Sequence, residues 1–179
     1  RSSKKISIMQ DRPETLRFLK AIRQPKDVKA GMLESIPWLM DLPYKQIRDL
    51  AYYLEGYRLR RGNILFKEGD SEPYLVIIVE GAIEIIKMDS QQNPQLVATL
   101  REGKVFGEMS LLDGEPRSAQ AQAREEVTLF VLTQERYKTL QKVEPVIALN
   151  LTLKMAKSIS QKLRQTTGQW VDLVNEKKS

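Results

Sequence analysis

Between Phe106 and Ala119 the chain reads FGEMSLLDGEPRSA, where a Gly-Glu pair, a short apolar run, an acidic turn and an Arg-Ser pair follow one another. Gly107 lets the backbone approach a ligand closely, and a short helical turn from Met109 to Leu112 would aim unpaired N–H groups at an anion. Arg117 adds a planar fork that fits two phosphate oxygens, and Ser118 adds a hydroxyl donor. Glu108 would repel such an anion unless it faces a hydrogen-bond donor, which a sugar hydroxyl supplies. Phosphate beside sugar describes a nucleotide. One Arg suits a single phosphate, whereas a triphosphate usually calls for Lys and a metal ion. Each residue alone has a plainer reading: Gly107 as a turn, Glu108 as a first-turn helix charge, Ser118 as a strand residue, Arg117 as a loop cap or the partner of Glu108. Their joint spacing makes the case for a site.

The elements that must position this segment change character near Tyr57. Before it, PETLRFLKAIR from Pro13 places Leu16, Leu19 and Ile22 at spacings of three and predicts an amphipathic helix. DVKAGMLESI predicts a second helix, and PYKQIRDLAYYL a third, with Ile47, Leu50, Ala51 and Leu54 on one face and Gly56 as its stop. From Tyr57, runs such as PYLVIIVEG, AIEIIKMD, QLVATL, AQAQA and VTLFVLT, punctuated by Gly62, Gly69 and Gly81, predict short strands and tight turns. Strands this close together suggest a small antiparallel barrel or sandwich. Thr133 opens a partial cap for a further helix, and beyond Pro145 the chain reads as helical to about Thr167, with Gly168 a possible break. Leu149, Ala156, Leu163 and Trp170 recur every seven residues, and Thr152, Ile159, Thr166 and Leu173 do so three positions later. That seam predicts pairing with a second copy of the chain.

Composition removes many alternatives. With 179 residues, 41% apolar and 29% charged, the chain can bury one core. It holds no Cys and no His, so thiolate nucleophiles, Ser-His-Asp triads and His/Cys zinc sites are excluded. Neither GxxxxGK[ST] nor GxGxxG occurs. The net charge of +6 lies at the ends: residues 1–30 hold nine basic against three acidic residues, and 154–179 six against two, around a net acidic middle. This favours solvated flanks over a nucleic-acid-reading face. No apolar run reaches the roughly 18 residues of a spanning helix, and the first residues lack a signal-peptide core, so a cytoplasmic protein without membrane contact is expected. The start at Arg1 suggests a longer parent.

The segment from Phe106 resembles the phosphate-binding cassette of cyclic nucleotide-binding domains, the family of catabolite activator proteins, kinase regulatory subunits and gated channels. The resemblance extends over roughly Met32 to Leu163, through an entry helix, a Gly turn, the Glu68-Gly69-Asp70 turn and a Tyr-bearing strand ending in Gly81. It implies an α+β fold: an antiparallel β-barrel, double-stranded and jelly-roll-like, flanked by N-terminal helices and a long C-terminal helix. It implies an N-terminal extension or linker over 1–31, the binding domain over 32–163, and the helix end and tail over 164–179. By resemblance, Glu108 binds the ribose 2′-OH, Arg117 the cyclic phosphate, and Ser118 phosphate or base. Backbone N–H groups of Gly107, Met109 and Ala119 assist, Val97 and Ala98 line the pocket, and Phe106 and Ser110 complete the cassette. Met109-Ser110 and Gln120 depart from commoner family residues. Counted from Pro145, Lys162 and Leu163 fall where the family's helix closes on the base, so base contact there is not reproduced.

The expected function is a regulatory sensor, not an enzyme, that needs no cofactor and takes cAMP, less readily cGMP, as its ligand. Ser118 in place of Thr favours cAMP. The signal would leave through the helix from Pro145, toward a second copy or an output domain outside this chain. Two alternatives stand beside it: a ligand-independent docking or dimerisation module that kept the fold, and the sensor part of a transcription regulator whose DNA reader is missing.

Overall fold

The computed structural model describes residues 13–176. Two runs that the sequence leaves almost wholly apolar, Tyr74–Glu80 (β4) and Val127–Thr133 (β9), lie side by side at the centre of the fold. Their lack of polar alternation has a direct cause, because the sheet that holds them is covered on both faces. Tyr74, Val76 and Ile78 with Leu129 and Val131 point into the roll interior, while Leu75, Ile77, Phe130 and Leu132 point toward the helices.

That sheet has the order β1-β2-β9-β4-β7, with β1 at Lys20–Ile22, β2 at Glu55–Leu59 and β7 at Val105–Phe106. A four-stranded sheet faces it, ordered β3-β8-β5-β6, from Ile64–Phe66, Gln120–Ala123, Ala82–Met88 and Pro94–Arg101. Every pairing is antiparallel. The expected α+β, jelly-roll-like fold is present. The two sheets are joined through their shared apolar interior, not by a closed ring of hydrogen bonds.

Helices α2 (Lys26–Glu34) and α3 (Tyr44–Tyr53) precede the roll, with the 3-10 turn Pro37–Leu39 between them. Helices α5 (Gln134–Val143) and α6 (Pro145–Glu176) follow it. Thr133 caps α5 as expected, its hydroxyl accepting from the Arg136 N–H.

Three local expectations are corrected. The helix from Pro13 lasts only one turn (α1, Glu14–Arg17), after which β1 pairs antiparallel with β2. Leu16 is fully buried and Leu19 packs on the same core, so tertiary pairing overrides local helix preference. Gly56 does not stop α3, which ends at Tyr53 with Leu54 already extended. Gly56 belongs to β2, where a Cβ would press on the Ile22 carbonyl and the Phe130 ring at 3.1 and 3.2 Å. Gly168 does not break α6, which continues to Glu176; a lone Gly costs a helix only about 1 kcal/mol relative to Ala.

Gly81, in the tight turn between β4 and β5, has φ +88°, and a Cβ there would lie 2.3 Å from the Glu126 carbonyl oxygen. Gly81→Ala should therefore lower stability by roughly 2 kcal/mol or more. Urea denaturation should show this as a lower midpoint with an unchanged slope.

Candidate functional site

Gly107, with φ +82°, turns the chain out of β7 into the short helix α4 (Glu108–Asp113), and Gly114 ends that helix in the same left-handed conformation. The chain returns to Arg117, whose backbone is clasped by the Glu68-Gly69-Asp70 turn. Gly69 N–H donates to the Arg117 carbonyl and Arg117 N–H to the Asp70 carbonyl, both at 2.8 Å. The Asp70 carboxylate closes its own turn by accepting from Lys67 N–H at 2.7 Å.

With its backbone held, the Arg117 side chain runs inward until only 4% of the residue is exposed. Its guanidinium carbon lies 4.1 Å from the centre of the Phe66 ring and 4.3 Å from that of Tyr74. Nη1 donates to Ser110 Oγ at 2.7 Å and at long range to the Gly107 carbonyl, and Nη2 donates to the Tyr74 carbonyl at 3.0 Å. Nε has no partner. Among the described residues no carboxylate forms an ion pair with this guanidinium, and burial pushes its pKa below the ordinary value. A buried cation whose direct contacts are all neutral oxygens and ring faces, with Asp70 and Glu72 acting only from longer range, is an electrostatic seat for an anion.

Glu108, 3% exposed, is the second buried charge. It does not pair with Arg117. Lys162 reaches it from α6, with Nζ 2.6 Å from Oε1. Gly107 is required between the two: a Cβ there would lie 2.6 Å from the Tyr74 carbonyl oxygen and 2.8 Å from Arg117 Nη1.

The cassette thus brings the Arg117 side chain, from the returning loop, against the Gly107 carbonyl and Ser110 of the turn that also carries Glu108. Phe106 is also buried, but against Phe66 in the core, and Met109 is half exposed. Ser118 is exposed and Ala119 half-buried; the Ser118 carbonyl accepts from Lys87 Nζ at 2.7 Å. Val97 is the extra residue of a bulge in β6, 60% exposed, while Ala98 pairs with Ile85. No hydrogen bond among the described residues ties either to the cassette. Leu163 is exposed at the surface of α6.

Sequence reasoning did not single out Phe66, Tyr74 or Lys87. Strand alternation offered a signal for Lys87, which shares the inward parity of Ile83 and Ile85 on β5.

A two-sheet roll with a short helix seating a buried Arg, and a long C-terminal helix reaching over it, is the build of a cyclic nucleotide-binding regulatory domain. Residues 57–143 match the family model described as cyclic nucleotide-binding domain. The cyclic AMP receptor protein of Thermus thermophilus is 33% identical over 112 residues, which cover 62% of this chain and 52% of that protein. A cAMP-dependent protein kinase regulatory subunit of Emericella nidulans is 30% identical over 118 residues, 65% of this chain and 28% of its own length. The chain thus spans about half or less of the curated relatives it matches. A cyclic nucleotide-binding domain from Methylobacillus flagellatus superposes with a TM-score of 0.78 at 24% identity, covering 90% of this chain and 96% of that one, and shows the shared fold. Among the described residues no cluster of three or more His, Cys, Asp or Glu could hold a metal ion, and no helix is long and apolar enough to cross a membrane.

Tyr74 supports the Arg117 seat and donates its hydroxyl to the Leu65 carbonyl; burial pushes its pKa from 10.0 up to about 12. Between those values the folded protein keeps a proton that the unfolded chain has lost, so stability falls as pH rises through this window. Urea titrations should record a loss of roughly 2 to 3 kcal/mol from this group between about pH 10 and 12, and the slope should become shallower in Tyr74→Phe.

Proposed function

We propose that this chain is a cAMP-binding sensor, with cGMP as a weaker ligand, in a regulatory, non-enzymatic and cytoplasmic protein. The binding unit would run over 32–163, after an extension at 1–31 and before a helix end at 164–179. The observation that carries the reading is the buried Arg117 guanidinium, in ion-pair contact with no carboxylate among the described residues and bonded through the Gly107 carbonyl and Ser110 to the short helix that begins at the buried Glu108. A cyclic phosphate supplies the missing anion, and its ribose supplies a donor for Glu108. Ser118 and Ala119 follow Arg117 directly, Ser110 and Gly107 contact it, and Met109 would offer its backbone N–H from the same helix. Val97 and Ala98 would line the mouth from β6. The names of the Thermus and Emericella relatives favour cAMP.

Calorimetry should give cAMP binding to the wild-type chain, weaker cGMP binding, and at least about a hundredfold loss in Arg117→Gln. Far-UV circular dichroism would establish that the variant keeps its fold. Equal heats from wild type and variant would remove Arg117 from the site.

A second reading, a docking module that no longer takes ligand, is favoured by one feature: the hydrogen bonds of Arg117 all stay within the chain. Mass spectrometry of nucleotide released from the purified protein separates the two readings.

We infer that output passes through α6 to a second copy of the chain and to a domain outside it. Val146, Leu149, Leu153, Leu163 and Trp170 are each more than half exposed and fall on one stripe. The first heptad series read from the sequence lies on it. In the companion series Thr152 is turned inward to Tyr137 with Leu153 exposed beside it, whereas Leu173 is itself more than half exposed. A stripe of this length favours helix pairing. Leu149→Glu with Leu163→Glu should reduce the mass in sedimentation equilibrium from dimer to monomer, and an unchanged mass would place dimer contacts elsewhere.

A further inference from the structure

We propose that Lys162 is the third charged side chain of the binding site: it stays on Glu108 when ligand is bound, cancels the carboxylate's charge beside the phosphate, and so makes α6 part of the site. The inference rests on the nucleotide-binding reading above. Glu108 belongs to the same turn as Gly107, whose carbonyl accepts from Arg117 Nη1, so an anion seated on Arg117 would lie close to a buried carboxylate. Like charges at short range in a low-dielectric interior oppose each other strongly. Lys162 Nζ, 2.6 Å from Oε1, is the cation that removes this opposition.

Only Oε1 takes the ammonium, and no hydrogen bond from the described residues reaches Oε2. A carboxylate has acceptor sites for both partners. A ribose hydroxyl can therefore join Lys162 on Glu108 without displacing it. Displacement would exchange a charge-assisted hydrogen bond for a weaker neutral one and would leave the carboxylate bare next to the phosphate. Shared occupancy avoids both costs.

The helix is also anchored to present Lys162. One turn earlier, Ser158 accepts from Trp38 Nε1 at 3.1 Å, and one turn before that Lys154 pairs with Asp41. Lys162 is the next contact along this face, and almost every side chain beyond it is exposed. The base-facing position assigned from the family pattern is thus occupied by a residue that serves the sugar and phosphate end.

The test is calorimetry with cAMP and with its 2′-deoxy analogue on wild type, Lys162→Met, Lys162→Arg, Glu108→Gln and Glu108→Gln/Lys162→Met. Losing one unit charge at this range should weaken binding of both nucleotides about tenfold in Lys162→Met. Lys162→Arg should stay near wild type, and removing Lys162 should have little effect once Glu108 is Gln. Wild-type or tighter cAMP binding by Lys162→Met would overturn the proposal and make the lysine a bystander or a competitor of the ribose. An equal loss in both Glu108 backgrounds would also overturn it, since Lys162 would then act on the phosphate directly. Failure of the wild-type chain to bind either nucleotide would instead sink the site reading beneath it.

Discussion

A positive charge held inside an apolar roll without a carboxylate in contact with it is the constraint on which the rest of this structure turns. Moving a guanidinium out of water is expensive, by several kcal/mol after relaxation. Here the compensation comes from two ring faces, one hydroxyl and two carbonyls, with Nε left over. Neutral acceptors offset this only in part. Natural interiors seldom hold such a group unless something anionic completes it, which is why one side chain says more about this protein than its whole charge distribution.

Holding that charge in place dictates several neighbours. The Arg117 backbone is locked by two hydrogen bonds to the Gly69 and Asp70 backbone, so the side chain leaves the loop in one direction only. Tyr74 contributes its carbonyl and its ring, and can do so because β4 is buried on both faces and cannot shift. Gly107 must be glycine for conformational and steric reasons together, since the carbonyl of Tyr74 and the guanidinium occupy the space of a side chain. Ser110 adds the shortest of the bonds to the Arg117 side chain. This hydroxyl therefore has a partner that a methyl group could not satisfy.

Much of this was legible in the sequence where the signal is local. The Glu68-Gly69-Asp70 turn, the cassette itself, the Thr133 cap and the continuous apolar runs of β4 and β9 each announce themselves by residue type and spacing. What was not legible depends on elements distant in the chain. Nothing in PETLRFLKAIR indicates that β2 lies in wait for a strand at Lys20–Ile22. Thr152, read as part of the α6 seam, is instead claimed by Tyr137 of α5, a contact between two helices that no periodicity encodes. The inward path of Arg117 and the pairing of Glu108 with Lys162, 54 positions away, are likewise products of packing.

The two anchor groups belong to different parts of the fold. Arg117 is fastened to β4 and the turn before it, in the rigid centre of the roll. Glu108 is fastened to α6, whose last turns extend past the roll with apolar side chains uncovered. A molecule that touched only Arg117 would leave the helix indifferent to its presence. One that touched both would join roll to helix, and its binding free energy would then depend on where the helix stands, which is the condition for coupling between two sites. Helix position and ligand occupancy would then be linked through a single carboxylate, because Glu108 is the first residue of a six-residue helix whose other buried polar side chain, Ser110, holds the guanidinium. Under the proposed function, a shift of α6 that pulled on Glu108 would be felt through α4 at Ser110 and Arg117, and the short helix would be the lever between them.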